Sequence, residues 1–142
     1  AAGSRAVPPG QASRIEGIGR ARVEPSFIPE LVDRMYRVED AASIAAARVL
    51  SELVGRPVGG STGTNLVGVL QLLRELELRG RGGSVATLIC DSGQRYAHSY
   101  FDDAWLAAQG IDIAPWRARI EDYLLRGRWD SALAQPRADA PR

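Results

Sequence analysis

Asp91-Ser92-Gly93 closes the apolar run Ser-Val-Ala-Thr-Leu-Ile-Cys at residues 84–90. A run of that length, apolar throughout, is the pattern of a strand buried on both faces of a parallel sheet. In open α/β sheets ligands sit at the carboxyl ends of the strands. A serine hydroxyl there both donates and accepts a hydrogen bond, so Ser92 could address a ring nitrogen or a phosphate. The competing reading is a strand-exit turn in which Asp91 and Ser92 satisfy local amides. A second candidate is Gly59-Gly60-Ser61-Thr62-Gly63-Thr64-Asn65, rich in glycine and hydroxyls and placed ahead of a helix. Backbone amides at such a junction can cradle an anion, helped by the helix dipole. Equally, it is a glycine-rich turn with Ser61, Thr62 or Thr64 as the helix N-cap. It has neither the lysine of a Walker loop nor the GxGxxG spacing of a dinucleotide fold.

Other chemistry is excluded by residue type. All 18 basic residues are arginine, so no lysine of this chain can form a Schiff base or serve a P-loop. Cys90 and His98 are the sole cysteine and histidine, which leaves no oriented third group for a nucleophile–base pair. Cys90, at the end of an apolar run, reads as a small core residue. No metal site and no catalytic residue is assigned to the chain. Tyr96, Tyr100, Phe101 and Trp105 read as core or interface aromatics, and Arg79 and Arg81 as a solvated helix end.

These residues need elements to hold them. The 142 residues amount to one domain or a piece of a larger one, with the 45% hydrophobic and 25% charged content of a globular protein. Residues 1–13 form a loop or ragged end, 14–127 the folded portion, and 128–142 a polar tail. Residues 38–54 are expected to be a helix with Glu39 and Asp40 in its first turn and Gly55 ending it. Its alanines, Ala42, Ala45 and Ala46, imply close packing on a neighbour. A second helix is expected from about residue 66 to 79, presenting Leu66, Val69, Leu70, Leu73 and Leu76 on one face. A short helix over 101–109 stops at Gly110, and another begins at Pro115 and carries Ile120, Tyr123, Leu124 and Leu125. Helix, helix, buried strand, helix is an α/β layer pattern with too little sheet for a complete domain.

The net charge of +1 gives no case for nucleic acid, and no apolar run reaches 18 residues, so a membrane span is not expected. The first eleven residues lack the apolar core of a signal peptide, and the single cysteine fits a reducing cytoplasm.

Taken in order, the motifs carry a resemblance. Ile15-Glu16-Gly17-Ile18-Gly19 is followed by Phe27-Ile28-Pro29 and by Glu39-Asp40-Ala41 opening a helix. Gly59-Gly60-Ser61-Thr62-Gly63, the apolar run and Asp91-Ser92-Gly93-Gln94-Arg95-Tyr96 complete the series over residues 15–112. This collinear set resembles the C-terminal part of the cysteine synthase and cystathionine β-synthase family, the fold-type II pyridoxal-phosphate enzymes. The Tyr100-Phe101-Asp102-Asp103 continuation is similar to a bacterial cysteine-desulfhydrase-like branch.

The resemblance implies a partial three-layer α/β fold, with helices packed on a parallel sheet, and pyridoxal 5'-phosphate as cofactor. It implies that Ser92 hydrogen-bonds the pyridine nitrogen, and that Gly17, Ile18 and Gly19 border the substrate cleft. The reaction class implied is β-elimination or β-replacement on cysteine, O-acetylserine or serine, in a cytoplasmic homodimer. The family's Schiff-base lysine, its substrate-carboxylate loop and its phosphate loop would belong to a missing N-terminal portion, so the chain alone is expected to be inactive. Gln94 departs from the family's glutamate, and 20–26 is longer than the usual link. The alternatives are a non-catalytic interaction module and a small anion-binding domain using residues 59–65.

Overall fold

The computed structural model describes residues 13–18 and 25–128. Within them lie four α-helices: α1 Asp40–Val54, α2 Gly60–Leu78, α3 Asp103–Ala108 and α4 Ala114–Arg126. Single 3-10 turns occur at Pro29–Leu31 and Gly93–Tyr96.

Helix α1 is the buried centre. Its alanines remove side-chain bulk, and Ala42, Ala45, Ala46 and Ala47 are fully covered. Gly55 ends it in the left-handed conformation (φ 70°), its N–H bonded to the Ser51 carbonyl. Helix α2 crosses α1 at Gly63, where an added methyl would overlap the Ser43 carbonyl and lie 2.7 Å from the Ala47 nitrogen. Val67 and Leu70 of α2 join Ala42, Ala45, Ala46 and Val49 of α1 and Ile120 and Tyr123 of α4 in the main core. A second cluster gathers Ile15, Ile44, Tyr96, Tyr100 and Leu106 on the opposite side of α1. Ile44 of α1 thus ties the helical core to the segments bearing Ile15 and Tyr96.

Helix α2 starts at Gly60, earlier than expected, so the 59–65 segment is its first two turns rather than a preceding loop. None of the proposed hydroxyls caps it: the N-cap is Gly59, without a side-chain bond. Thr64 bonds instead to the Ser43 hydroxyl (2.7 Å), and buried Thr62 accepts from the Cys90 N–H (2.9 Å). Helix α3 starts two residues later than expected because Asp102 caps it, accepting from the N–H groups of Ala104 and Trp105. Pro115 stands in the first turn of α4 as expected; Ile120 and Tyr123 face the core, while Leu124 and Leu125 are exposed.

The expected buried strand is corrected. Residues 84–90 form no strand, and all but the half-buried Val85 are exposed. No strand occurs among the described residues, which hold a single antiparallel bridge, Val58 to Ser92. A strand needs a neighbouring ladder for its N–H and C=O groups, and no neighbour is present among the described residues. The parallel sheet of the expected fold is therefore not formed by these residues. No helix among them is long and apolar enough to cross a membrane.

Candidate functional site

The turn bearing Ser92 is held by backbone on both sides. The Gly59 N–H donates to the Asp91 carbonyl and the Gly93 N–H to the Pro57 carbonyl, both at 3.0 Å. These bonds clamp Asp91-Ser92-Gly93 antiparallel to the chain entering α2. The approach is close at both glycines: a methyl on Gly59 would displace the Asp91 carboxylate, and one on Gly93 would lie 2.6 Å from the Val58 carbonyl oxygen.

Ser92 is exposed, with extended backbone (φ −75°, ψ 134°). Its hydroxyl accepts a long bond from the Gln94 N–H (3.3 Å), which leaves its own proton available to donate. The turn reading holds for Ser92, which caps the Gly93–Tyr96 turn, and not for Asp91, which accepts from the Tyr96 hydroxyl rather than from a local amide.

Successive side chains of an extended segment point to opposite faces, and Asp91 goes the other way. Its Oδ2 accepts from the Tyr96 hydroxyl (2.7 Å), while its Oδ1 is buried without a polar partner. Tyr96 stacks on Tyr100, ring centroids 4.5 Å apart, and Tyr100 meets Trp105 edge-on at 6.0 Å. The Tyr100 hydroxyl donates to the Arg14 carbonyl (2.7 Å) and accepts from the Glu16 N–H (3.1 Å). Glu16 also lies 3.4 Å from the Tyr96 hydroxyl and pairs with Arg95 at 3.6 Å. Burial, then the bond to the Asp91 carboxylate, pushes the Tyr96 hydroxyl far above the ordinary phenol range. Burial raises Tyr100 as well.

Two tyrosines therefore join the 15–18 segment to the Ser92 turn across more than 70 residues of sequence. Gly17 sits in a turn at φ 83°, and Ile18 is exposed beside it. Gly60 closes the group from α2: a methyl there would stand 2.9 Å from the Tyr100 ring and 3.1 Å from Ile15. Gly19 lies outside the described residues. Cys90 is exposed, with Asn65 Nδ2 at 3.5 Å from its sulfur rather than an imidazole, which corrects its reading as a core residue. No cluster of metal-ligating side chains occurs among the described residues.

The aromatic residues are core, as expected, but their hydroxyls were missed. Tyrosine in place of phenylalanine at a buried position is the available signal, because a buried phenol needs a partner. Arg48 also escaped notice; it braces the same cluster from α1, donating to the Tyr100 carbonyl (2.7 Å) and pairing with Asp103 (2.5 Å).

The arrangement is thus an exposed hydroxyl and an exposed glycine turn joined by buried tyrosines. Comparison with known proteins places the chain in a family. No family model matches the chain. It is 59% identical over 117 residues to an L-cysteine desulfhydrase of Mycobacterium tuberculosis, covering 82% of this chain and 32% of that protein. It is 33% identical over 99 residues to an N-(2-amino-2-carboxyethyl)-L-glutamate synthase of Cupriavidus metallidurans, covering 70% and 29%. With cysteine synthase 2 of Schizosaccharomyces pombe it shares 34% over 99 residues, covering 68% and 24%. The chain belongs to the cysteine synthase family and corresponds to its C-terminal part. It spans between about a quarter and a third of the length of these relatives.

Proposed function

We propose that this chain supplies one wall of the active site of a pyridoxal-phosphate-dependent enzyme that breaks down cysteine by β-elimination, or builds it by β-replacement on O-acetylserine or serine. The 59% identity to the L-cysteine desulfhydrase carries this reading, and favours elimination from cysteine. The chemistry of the donor set fits one edge of the cofactor: Ser92 offers a neutral hydroxyl, its proton uncommitted, at a turn held rigid from α2. When bound, the cofactor would serve as the electron sink for the bond broken at the substrate's α-carbon.

The chain's own residues have defined tasks in this reading. Ser92 donates to the pyridine nitrogen and, being neutral, leaves that nitrogen unprotonated, which suits elimination and replacement better than transamination. Gly17, Ile18 and Gly19 border the cleft that receives the amino acid. No residue here forms the Schiff base, because the chain contains no lysine. That lysine, the phosphate loop and the substrate-carboxylate loop belong to a portion outside these 142 residues, and the complete enzyme works as a cytoplasmic homodimer.

The test compares the full-length protein with this chain alone, each supplied with pyridoxal phosphate. Sulfide release from cysteine, or thiol incorporation from O-acetylserine, is expected of the first and not of the second. Turnover by the isolated chain would overturn its inactivity. No turnover of cysteine, O-acetylserine or serine by the full-length protein would overturn the reading.

A further inference from the structure

Asp91 and Ser92 are adjacent, yet one is an acid and the other a neutral hydroxyl, and a ring nitrogen responds to the two in opposite ways. A carboxylate beside it stabilises the protonated ring; a hydroxyl donates a hydrogen bond and leaves it unprotonated. The structure separates them. Ser92 is exposed, on extended backbone. The Asp91 carboxylate turns inward, one oxygen held by the Tyr96 hydroxyl at 2.7 Å and the other buried against the Cα of Gly59. Tyr96 in turn cannot swing, because it is stacked on Tyr100 and nearly fully buried. The other charged groups facing its hydroxyl and ring are Glu16, at 3.4 Å, and Arg95, above the ring at 5.9 Å.

We propose that Tyr96, with the bare Cα of Gly59, is the positioning device that keeps the Asp91 carboxylate out of the cofactor site, so that Ser92 is the group offered to the ring nitrogen. Tyr96 acts through Asp91 and touches no reacting atom. The inference rests on the assignment of Ser92 made above, and its test separates the two.

The experiment uses the full-length protein loaded with pyridoxal phosphate, reading the absorbance and fluorescence of the bound cofactor without substrate over a pH series, together with kcat, KM and melting temperature. Tyr96→Phe keeps the stacked ring and frees the carboxylate. It is expected to shift the cofactor spectrum and its pH dependence, and to lower kcat about tenfold with KM little changed, the scale of one lost charge-assisted hydrogen bond. Neutralising the freed group should undo this: the double variant Tyr96→Phe with Asp91→Asn returns spectrum and kcat to those of Asp91→Asn alone.

Should Tyr96→Phe fail to fold, Gly59→Ala displaces the same carboxylate with Tyr96 intact. It should give the same spectral shift, again cancelled by Asp91→Asn. A double variant that stays as altered as Tyr96→Phe overturns the proposal, since lost packing rather than a freed charge would then be the cause. Ser92→Ala isolates the underlying reading: an unchanged cofactor spectrum there removes the assignment of Ser92, and the inference with it. A changed Ser92→Ala spectrum beside an uncancelled Tyr96→Phe effect removes the inference alone.

Discussion

At Gly93 a methyl group would lie 2.6 Å from the Val58 carbonyl oxygen and 2.8 Å from the carbonyl carbon and Cβ of Pro57. Those neighbours are mostly backbone, already engaged in the paired bonds that hold the Ser92 turn, so they cannot yield as a flexible side chain would. Gly93→Ala is therefore expected to cost about 1–3 kcal/mol of stability, the usual range for overpacking, and to loosen Ser92 with it. Gly82, with open space around it, is the control, and Gly82→Ala should change little. Thermal unfolding of the two variants of the full-length protein checks the contrast; equal melting temperatures would mean that the clamp at Gly93 does not hold. At this scale the sequence was informative about types and poor about partners. Ser92 and Gly17 were singled out from motif and position. The Tyr96–Asp91 bond was not, because nothing in a sequence says which buried hydroxyl reaches which carboxylate.

Helix existence was legible from periodicity, and helix starts were less so. The expected start of α1 lies two residues from the observed one, since acidic residues and an alanine-rich face leave little ambiguity. Helix α2 begins six residues before its expected start, because glycine and hydroxyl residues have low helix propensity and read as a turn. Packing overrides propensity there: Gly63 is the point at which α2 passes over the Ser43 carbonyl of α1. Gly63→Ala should accordingly lower stability by about 1–3 kcal/mol or more, because backbone on both helices must part to admit the methyl; urea unfolding measures it. The α2–α4 contact makes a separate prediction. The Tyr123 hydroxyl donates to Glu77 at 2.8 Å, and burial first, then that bond, raises its pKa to about 12 from the usual value near 10. The unfolded chain then loses this proton at lower pH than the folded one, so the stabilisation is complete below pH 10 and is lost as pH rises toward 12. Tyr123→Phe should flatten the loss of stability between pH 10 and 12, and an unchanged alkaline slope would assign it to other groups.

The apolar run at residues 84–90 has the sequence pattern of a strand buried on both faces, yet among the described residues it forms no strand and is mostly exposed. Composition reports what a segment needs; only the partner elements decide whether the need is met. Here Leu88 is 72% and Ile89 46% exposed, and the backbone has no ladder among the described residues. Exposed apolar surface of this kind is an association site in a free-standing chain. The run ends in Cys90, whose exposed thiol provides a reporter, being the sole cysteine of the sequence. In the isolated chain Cys90 should react with a disulfide reagent such as DTNB as freely as an unstructured thiol. In the full-length protein the run is expected to be covered by neighbouring strands, and the reaction of Cys90 should then slow by at least about tenfold, because reagent access requires local opening. Mass spectrometry of the tryptic peptide bearing Cys90 separates it from cysteines elsewhere. Equal rates in the two forms would mean that no sheet covers the run, and the helical layer would then be the whole architecture around Ser92. A slowed rate that recovers at denaturant concentrations below the main unfolding transition would place the run among the least stable parts of the assembled site.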